Sequence, residues 1–462
     1  MSEKNTDLGR EPIGRLLFKL ATPAIIAQLV NVLYNIVDRI FIGRLPEGDL
    51  AMAGVGVAFP IIMLVSATSA LIGMGGAPIA AIKMGKKDHD AAEKIISNSL
   101  SMLFIISILL MCILLPFKEP LLYAFGASAS TIGYANDYLT IYLFGTLFVQ
   151  IAIGMNPFIN TQGFAKIGMM TVLVGAIINI VLDPILIFGF DLGVKGAAIA
   201  TVAAQLVSAI WVLFFLFGKK SILKIRKEYL KPELKVVLPI MALGVSPFIM
   251  QATESVVLIS LNNQLSTYGG DIAVSAMTII SSINQIVLLP LMGLTSGAQP
   301  IISYNFGAKQ YDRVKQAFKL LLTVCLIYTT TMWLALMVAP QVFVTIFNDK
   351  PELIDITSRS IRLFFAGIFV FGAQMACQQT FLALGQAKIS LILALLRKMI
   401  LLVPLIFILP VILKSFVPQL DAVFLAEPVA DVIAATSTVI CFIIFYRKTF
   451  SSLNTEAATK EE

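Results

Sequence analysis

Apolar residues fall in long runs, and polar residues gather in short segments between them. Twelve runs are long enough to cross a bilayer, which takes roughly 20 residues of helix. They are residues 14–42, 50–82, 92–117, 131–158, 168–190, 194–218, 236–263, 271–305, 314–340, 356–383, 388–413 and 420–446. Turn-forming clusters such as Leu45-Pro46-Glu47-Gly48 and Tyr268-Gly269-Gly270-Asp271 separate several of them. The pattern predicts an all-α polytopic membrane protein with twelve transmembrane helices.

The polar segments repeat. Pro78, Gly85, Lys87 and Asp90 recur as Pro300, Gly307, Lys309 and Asp312, each 222 positions later. The same shift carries Gly145 onto Gly367, and Gly163, Ala165 and Lys166 onto Gly385, Ala387 and Lys388. The chain is therefore two copies of one six-span unit. An even number of spans makes both copies enter from the same side, so a pseudo-two-fold axis runs along the membrane normal, with a cavity expected between the lobes. The expected parts are an N-terminal lobe over 1–218, a cytoplasmic basic linker over 219–235, a C-terminal lobe over 236–450 and a cytoplasmic tail over 451–462.

Composition agrees with the pattern. Of 462 residues 58% are hydrophobic and 13% charged, and mean hydropathy is +0.90, where a soluble domain carries roughly 25% charge. Charge then sets orientation. With the N-terminus inside, the inner segments hold 24 Lys and Arg and the outer segments 8, with Lys4 and Lys460 among the inner set. Arg397 and Lys398 fall within a span. This bias is the positive-inside signature, so both termini are expected in the cytoplasm, with the chain expected in the cell's plasma membrane. The same topology accounts for the net charge of +7, which needs no nucleic-acid partner.

Several chemistries are missing. There is no glycine-rich phosphate loop for ATP, and the single histidine, His89, sits in a polar loop. The four cysteines lie inside apolar runs and read as small core residues. No cofactor, metal site or enzymatic activity is expected, and energy must come from an ion or substrate gradient. A monomer in contact with lipid is expected.

Candidate chemistry lies in the polar residues within the spans, because a central carboxylate costs about 2.5–3.5 kcal/mol on insertion scales. Five are singled out: Asp38, Asp183, Glu254, Glu427 and Asp431. At about 1.5 Å per residue, Asp38 lies about 28 Å and Asp183 about 25 Å from the cytoplasmic ends of their helices. Asn179 shares a face with Asp183, and Thr201 falls in the same outer half. These four could meet at one level and hold a proton or Na⁺ between two carboxylates. Interhelical hydrogen bonding explains Asn179 and Thr201 as readily, but not two aspartates.

In the second copy Arg397 and Asp431 fall at similar depths, about 14–16 Å into the membrane. They predict an ion pair with Glu427 one turn from Asp431, either a structural tie or a functional site. Lys398 points about 100° away around the helix, with no partner assigned. Glu254 reads as a binder of a cationic substrate or coupling ion, or as a polar residue wetted by the cavity. Gln150, Asn156 and Asn160 on the fourth span, and Gln374 and Gln378 on the tenth, form stripes suited to a cavity wall, or to interhelical hydrogen bonds.

The stretch Leu33-Tyr34-Asn35-Ile36-Val37-Asp38-Arg39-Ile40-Phe41-Ile42-Gly43, the segment Asn179-Ile180-Val181-Leu182-Asp183-Pro184, Ala200-Thr201 and the duplicated loop signatures resemble the multidrug and toxic compound extrusion (MATE) family, in its MepA-like bacterial branch. The resemblance covers nearly the whole chain. It implies two six-helix lobes that export cationic amphiphilic compounds in exchange for H⁺ or Na⁺. It implies a cation site at Asp38, Asn179, Asp183 and Thr201, and a carboxylate role for Glu254. The tenth span, Phe371-Gly372-Ala373-Gln374-Met375-Ala376-Cys377-Gln378, lacks the acidic residue some members carry there, which favours H⁺ over Na⁺. The alternative is a lipid-linked oligosaccharide flippase of related fold, which would need a cavity rich in Arg and Lys for pyrophosphate.

Overall fold

The computed structural model describes residues 7–347 and 350–458. Lys4 and Lys460 lie outside the described residues. Among the described residues there is helix and turn but no strand. The first lobe holds α1 (Ile13–Gly43), α2 (Gly48–Gly85), α3 (His89–Ala124), α4 (Ile132–Phe144), α5 (Thr146–Thr161), α6 (Ala165–Pro184, continued by a π-helical turn, Ile185–Gly189) and α7 (Gly193–Phe217). The second holds α8 (Leu234–Ala252), α9 (Glu254–Gly307), α10 (Tyr311–Val338), α11 (Pro340–Val344), α12 (Pro351–Phe364), α13 (Ile368–Ala383), α14 (Ala387–Leu395, continued by a π-helical segment, Leu396–Leu402), α15 (Val403–Ile412) and α16 (Gln419–Ala458).

Ten segments are long and apolar enough to cross a membrane, and two bent helix pairs bring the total to twelve. Gly270 breaks α9 at φ 64°, ψ −160°, so its first part joins α8 in one segment, Leu234–Gly270, and the rest forms the next, Ile272–Gly307. The fourth and tenth spans, expected as single helices, are the bent pairs: α4 and α5 meet at 60°, α12 and α13 at 48°. Both bends fall at the duplicated glycine, Gly145 and Gly367. Side chains there would strike Val202 and Pro428 of neighbouring helices, so glycine permits the bend and the close packing together. α16 continues through 451–458, where a tail was expected.

The duplicated loop signatures have duplicated geometry. Lys87 and Lys309 both take left-handed φ (62° and 59°), as do Gly163 and Gly385 (86° and 73°). The lobes meet where these turns begin. A Cβ on Gly85 would land on the Tyr304 carbonyl, and one on Gly307 on the Ile82 carbonyl. Ile82 and Tyr304 are themselves repeat equivalents, so this contact lies on the pseudo-two-fold axis. Further close approaches join α2 to α8, with Gly244 against Leu71, and α1 to α9, with Gly297 against Ala21 and Gly293 against Ile25. All lie towards the face that carries the N-terminus and the linker.

That face is also cross-strapped. The Leu8 carbonyl accepts hydrogen bonds from Asn305 Nδ2 at 2.9 Å and Arg313 Nη2 at 3.1 Å, and the Glu11 carbonyl accepts from Arg313 Nη2 at 2.7 Å. Thus the segment leading into the first lobe docks on the second. The repeat equivalent of Leu8 is Leu230, whose carbonyl accepts from Ser101 Oγ on α3 at 2.5 Å. Asn98 Nδ2 donates to the Tyr229 carbonyl at 2.9 Å, and Asn98 Oδ1 accepts from the Glu233 backbone at 2.7 Å. The linker is no loose tether. Gln162 Oε1 takes the backbone N–H groups of Ile222 (2.7 Å) and Leu223 (2.9 Å), Arg226 pairs with Glu93, and Leu223 and Ile225 are buried.

Candidate functional site

In the first lobe α1, α6 and α7 carry four polar side chains to one buried level. Asp38, Asn179, Asp183 and Thr201 are 8%, 1%, 0% and 9% exposed. α1 packs on α6 and α6 on α7. Asn179 and Asp183 sit one turn apart on α6, just before Pro184 and the π-helical turn. Asn179 Nδ2 donates to Asp183 Oδ1 at 3.3 Å and to Thr201 Oγ1 at 3.5 Å. Asp38 reaches this level from α1, which packs against α6, and is buried there.

The hydrogen bonding is incomplete. Asp38 Oδ1, Asp183 Oδ2 and Asn179 Oδ1 are all buried with no partner. Buried polar atoms are normally satisfied, so three orphaned acceptor oxygens in one cluster make a receptor for a proton or a small cation. Sequence reasoning missed the phenols around them. Tyr34 lies one turn before Asp38 on α1, and Tyr138 and Tyr142 are buried on α4. The Tyr138 ring stacks on Tyr142 at 6.4 Å. Their i, i+4 spacing on the fourth span was the available signal.

The second lobe concentrates its charge on the π-helical segment. π-Bulges mark functional positions often enough to draw notice, and this one carries Arg397 and Lys398. Arg397 Nε donates to Asp431 Oδ1 and its Nη2 to Glu427 Oε1, both at 2.8 Å, joining the segment to α16. Its guanidinium lies 4.6 Å from the centre of the Phe371 ring. Lys398 turns to α8 and α9 instead, where its Nζ donates to the Met250 carbonyl at 3.0 Å and pairs with Glu254. Two neighbouring cations thus reach three different helices, and three carboxylates surround them. Two small cavities flank Arg397. The first is lined by Gln374, Gln378 and Lys398 among others, the second by Asn284, Glu427 and Asp431 among others.

The five residues read as cavity-wall stripes, and Glu254, fall in two separate places. Gln150 is fully buried between α5 and α2, donating to the Val65 carbonyl at 3.0 Å and to Thr68 Oγ1 at 2.5 Å. An amide among apolar helices is held by the nearest carbonyl. Asn156 donates to the Gly168 carbonyl at 3.2 Å, and the Asn160 side chain also packs on Gly168, clasping α5 to α6. Gln374, Gln378 and Glu254 lie instead around Lys398 in the second lobe.

The model of the MatE family matches residues 23–185 and 246–408, once in each lobe. The chain is similar to "Multidrug export protein MepA" of Staphylococcus haemolyticus (strain JCSC1435), 27% identical over 398 residues, 86% of this chain and 87% of that protein. A protein of the same description from Staphylococcus aureus (strain N315) is 25% identical over 400 residues, 86% and 88% of the two chains. Among solved structures, a MATE transporter crystallised in its bent conformation aligns with a TM-score of 0.89 at 22% identity, over 98% of this chain and 100% of the other. A MOP superfamily transporter from Pyrococcus furiosus, described as having a binding pocket of reverse polarity, aligns with a TM-score of 0.87 at 23% identity, again over 98% and 100%. The structural likeness is one of fold: twelve helices in two lobes.

Proposed function

The chain belongs to the MatE family, a family of membrane transporters, and on that premise we propose that it is a secondary active exporter that expels hydrophobic cations in exchange for H⁺. The observation that carries this reading is the buried cluster of Asp38, Asp183, Asn179 and Thr201 with its three orphaned acceptor oxygens. Two close carboxylates away from water cannot both ionise cheaply, so the cluster takes up a proton or a cation from one side and releases it to the other. The second lobe supports H⁺ over Na⁺. Each of its membrane-embedded carboxylates Glu254, Glu427 and Asp431 already faces a basic side chain. The same pairing weighs against a pyrophosphate carrier, since Arg397 and Lys398 are already engaged.

With the strapped face in the cytoplasm, the lobes are in close contact on the inner side. A proton entering from outside reaches Asp38 and Asp183. One monovalent drug cation exchanged for one proton moves no net charge, so the membrane potential, worth ~2.3 kcal/mol per charge per 100 mV, contributes nothing. The pH gradient then supplies about 1.4 kcal/mol per unit. Two protons per drug would use both.

The test is dye uptake into energised inverted vesicles, across pH and with or without Na⁺. Uptake should follow the pH gradient, be indifferent to Na⁺, and vanish in Asp38→Asn. Full gradient-driven uptake by Asp38→Asn would remove the assignment.

A further inference from the structure

Lys398 is held as a bound cation would be. Its ammonium rests on a carboxylate, Glu254, and a backbone carbonyl, Met250. The Lys398 side chain is 10% exposed and that of Glu254 is 51% exposed. Of the pair, the carboxylate is the more open partner and the lysine the more enclosed.

Behind the lysine is a place for it to go. Lys398, Gln374 and Gln378 line one small cavity of about 20 Å³, room for a single ammonium-sized group. Gln374 and Gln378 are 6% and 8% exposed, and the Oε1 of each is buried without a partner. The Gln378 amide is fixed in that orientation. Its Nε2 donates to the Ser390 carbonyl at 2.8 Å, Ser390 Oγ at 3.0 Å and Ser246 Oγ at 3.3 Å. An ammonium has three donors and no acceptor, so the two orphaned oxygens match what Lys398 would need on leaving Glu254.

We propose that Lys398 is a tethered resident cation of the second lobe, which a protonated-amine substrate displaces from Glu254 onto the carbonyl oxygens of Gln374 and Gln378. This rests on the export reading and deepens it. Glu254 and the Met250 carbonyl both accept hydrogen bonds, so the vacated position suits an ammonium that keeps N–H donors and disfavours a quaternary one. Charge supports the exchange. Arg397 and Lys398 oppose Glu254, Glu427 and Asp431, and one incoming cation brings the group to balance. The lobe would then need no inorganic cation, because it carries its own. Displacing a resident competitor lowers the apparent affinity of the substrate, which favours release on the outside.

The experiment is calorimetric binding to the full-length protein in nanodiscs. The probes are 4-phenylbutylammonium and its N-trimethyl analogue, each with and without added NaCl. Wild type should bind the amine at least about fivefold more tightly than the analogue, with Na⁺ having little effect. Lys398→Met should bind the amine about tenfold more tightly without Na⁺ and lose that gain when Na⁺ is added, because Glu254 would then recruit the ion. Gln374→Leu with Gln378→Leu should weaken amine binding about tenfold with no Na⁺ dependence, for want of a landing place.

Affinities for Lys398→Met within twofold of wild type, and indifferent to Na⁺, would overturn the proposal. So would equal binding of the two probes. If Lys398→Met does not fold, the glutamine pair decides alone, and unchanged binding there is equally fatal. Failure of wild type to bind either probe would remove the export reading with it. Binding of both probes at unchanged affinity by the variants removes only the role of Lys398.

Discussion

The Arg397 guanidinium holds two carboxylates and rests on an aromatic face. Removing one member of a buried ion network leaves the others uncompensated and costs about 3–5 kcal/mol, whereas removing all the charge together costs far less. Arg397→Met is therefore expected to lower the thermal midpoint sharply, and Arg397→Met combined with Glu427→Gln and Asp431→Asn to recover most of the loss. A triple variant no more stable than the single one would show that the network does not act as a unit. In the first lobe Asp38 and Asp183 share one site. Asp183→Asn is expected to impair proton-driven uptake nearly as much as Asp38→Asn, and the double variant to be no worse than either. Additive losses in a transport assay would place the two aspartates on separate steps.

At the scale of elements the linker is a docked strap. Gln162 satisfies two consecutive backbone N–H groups with one oxygen, and leaving such groups unpaired costs about 1–3 kcal/mol. Gln162→Leu should lower stability by that order and expose the chain near Lys219 and Lys220 to trypsin, readable by limited proteolysis. Unchanged cleavage would mean that the strap is held elsewhere. Asp88 caps α3 through the Ala91 N–H at 3.2 Å. That hydrogen bond first, and then Lys83, hold its carboxyl below the usual carboxylate range. A lowered folded-state pKa gives stability that is present above the unfolded value, near 3.9, and lost as pH falls through the folded value. Asp88→Ala should thus cost about 0.5–2 kcal/mol at neutral pH, with the gap to wild type closing as the pH drops below about 4. A gap constant with pH would exclude the ionised cap.

At the scale of the whole molecule, transport requires the strapped face to open. Gly85 and Gly307 let α2 and α9 touch backbone to backbone on the symmetry axis, and no side chain larger than hydrogen fits there. Gly85→Val should push the lobes apart on that face. A reporter cysteine at Leu71, buried where α2 meets α8, should then react with a polar thiol reagent about tenfold faster when the native cysteines are removed. Equal labelling rates would mean that closure does not depend on this contact. Arg313 tests the cross-strap in the same assay, since it holds the Leu8 and Glu11 carbonyls across the lobe boundary.

The sequence by itself determined the architecture. Apolar run length reports how far a helix must travel through hydrocarbon, and a shift of 222 positions that preserves glycine, lysine and aspartate in loops reports a repeated turn. Both are local, so twelve spans in two lobes were legible. Depth was legible too, because rise per residue is fixed; it brought Asp38, Asn179, Asp183 and Thr201 to one level and Arg397 to Asp431. Depth does not say which neighbour stands beside a given face. Gln150 and Gln378 are the same residue type on corresponding spans, yet only Gln378 both closes interhelical bonds and lines a cavity beside Lys398. Lys398 found Glu254 only when the packing of α8 and α9 against the π-helical segment was known. The docking of Leu8 and Leu230 on opposite lobes likewise joins residues with no local signal between them. Such choices belong to helix packing, where the rotation of each helix about its axis and its choice of neighbour are set by close contact of side chains from distant parts of the chain.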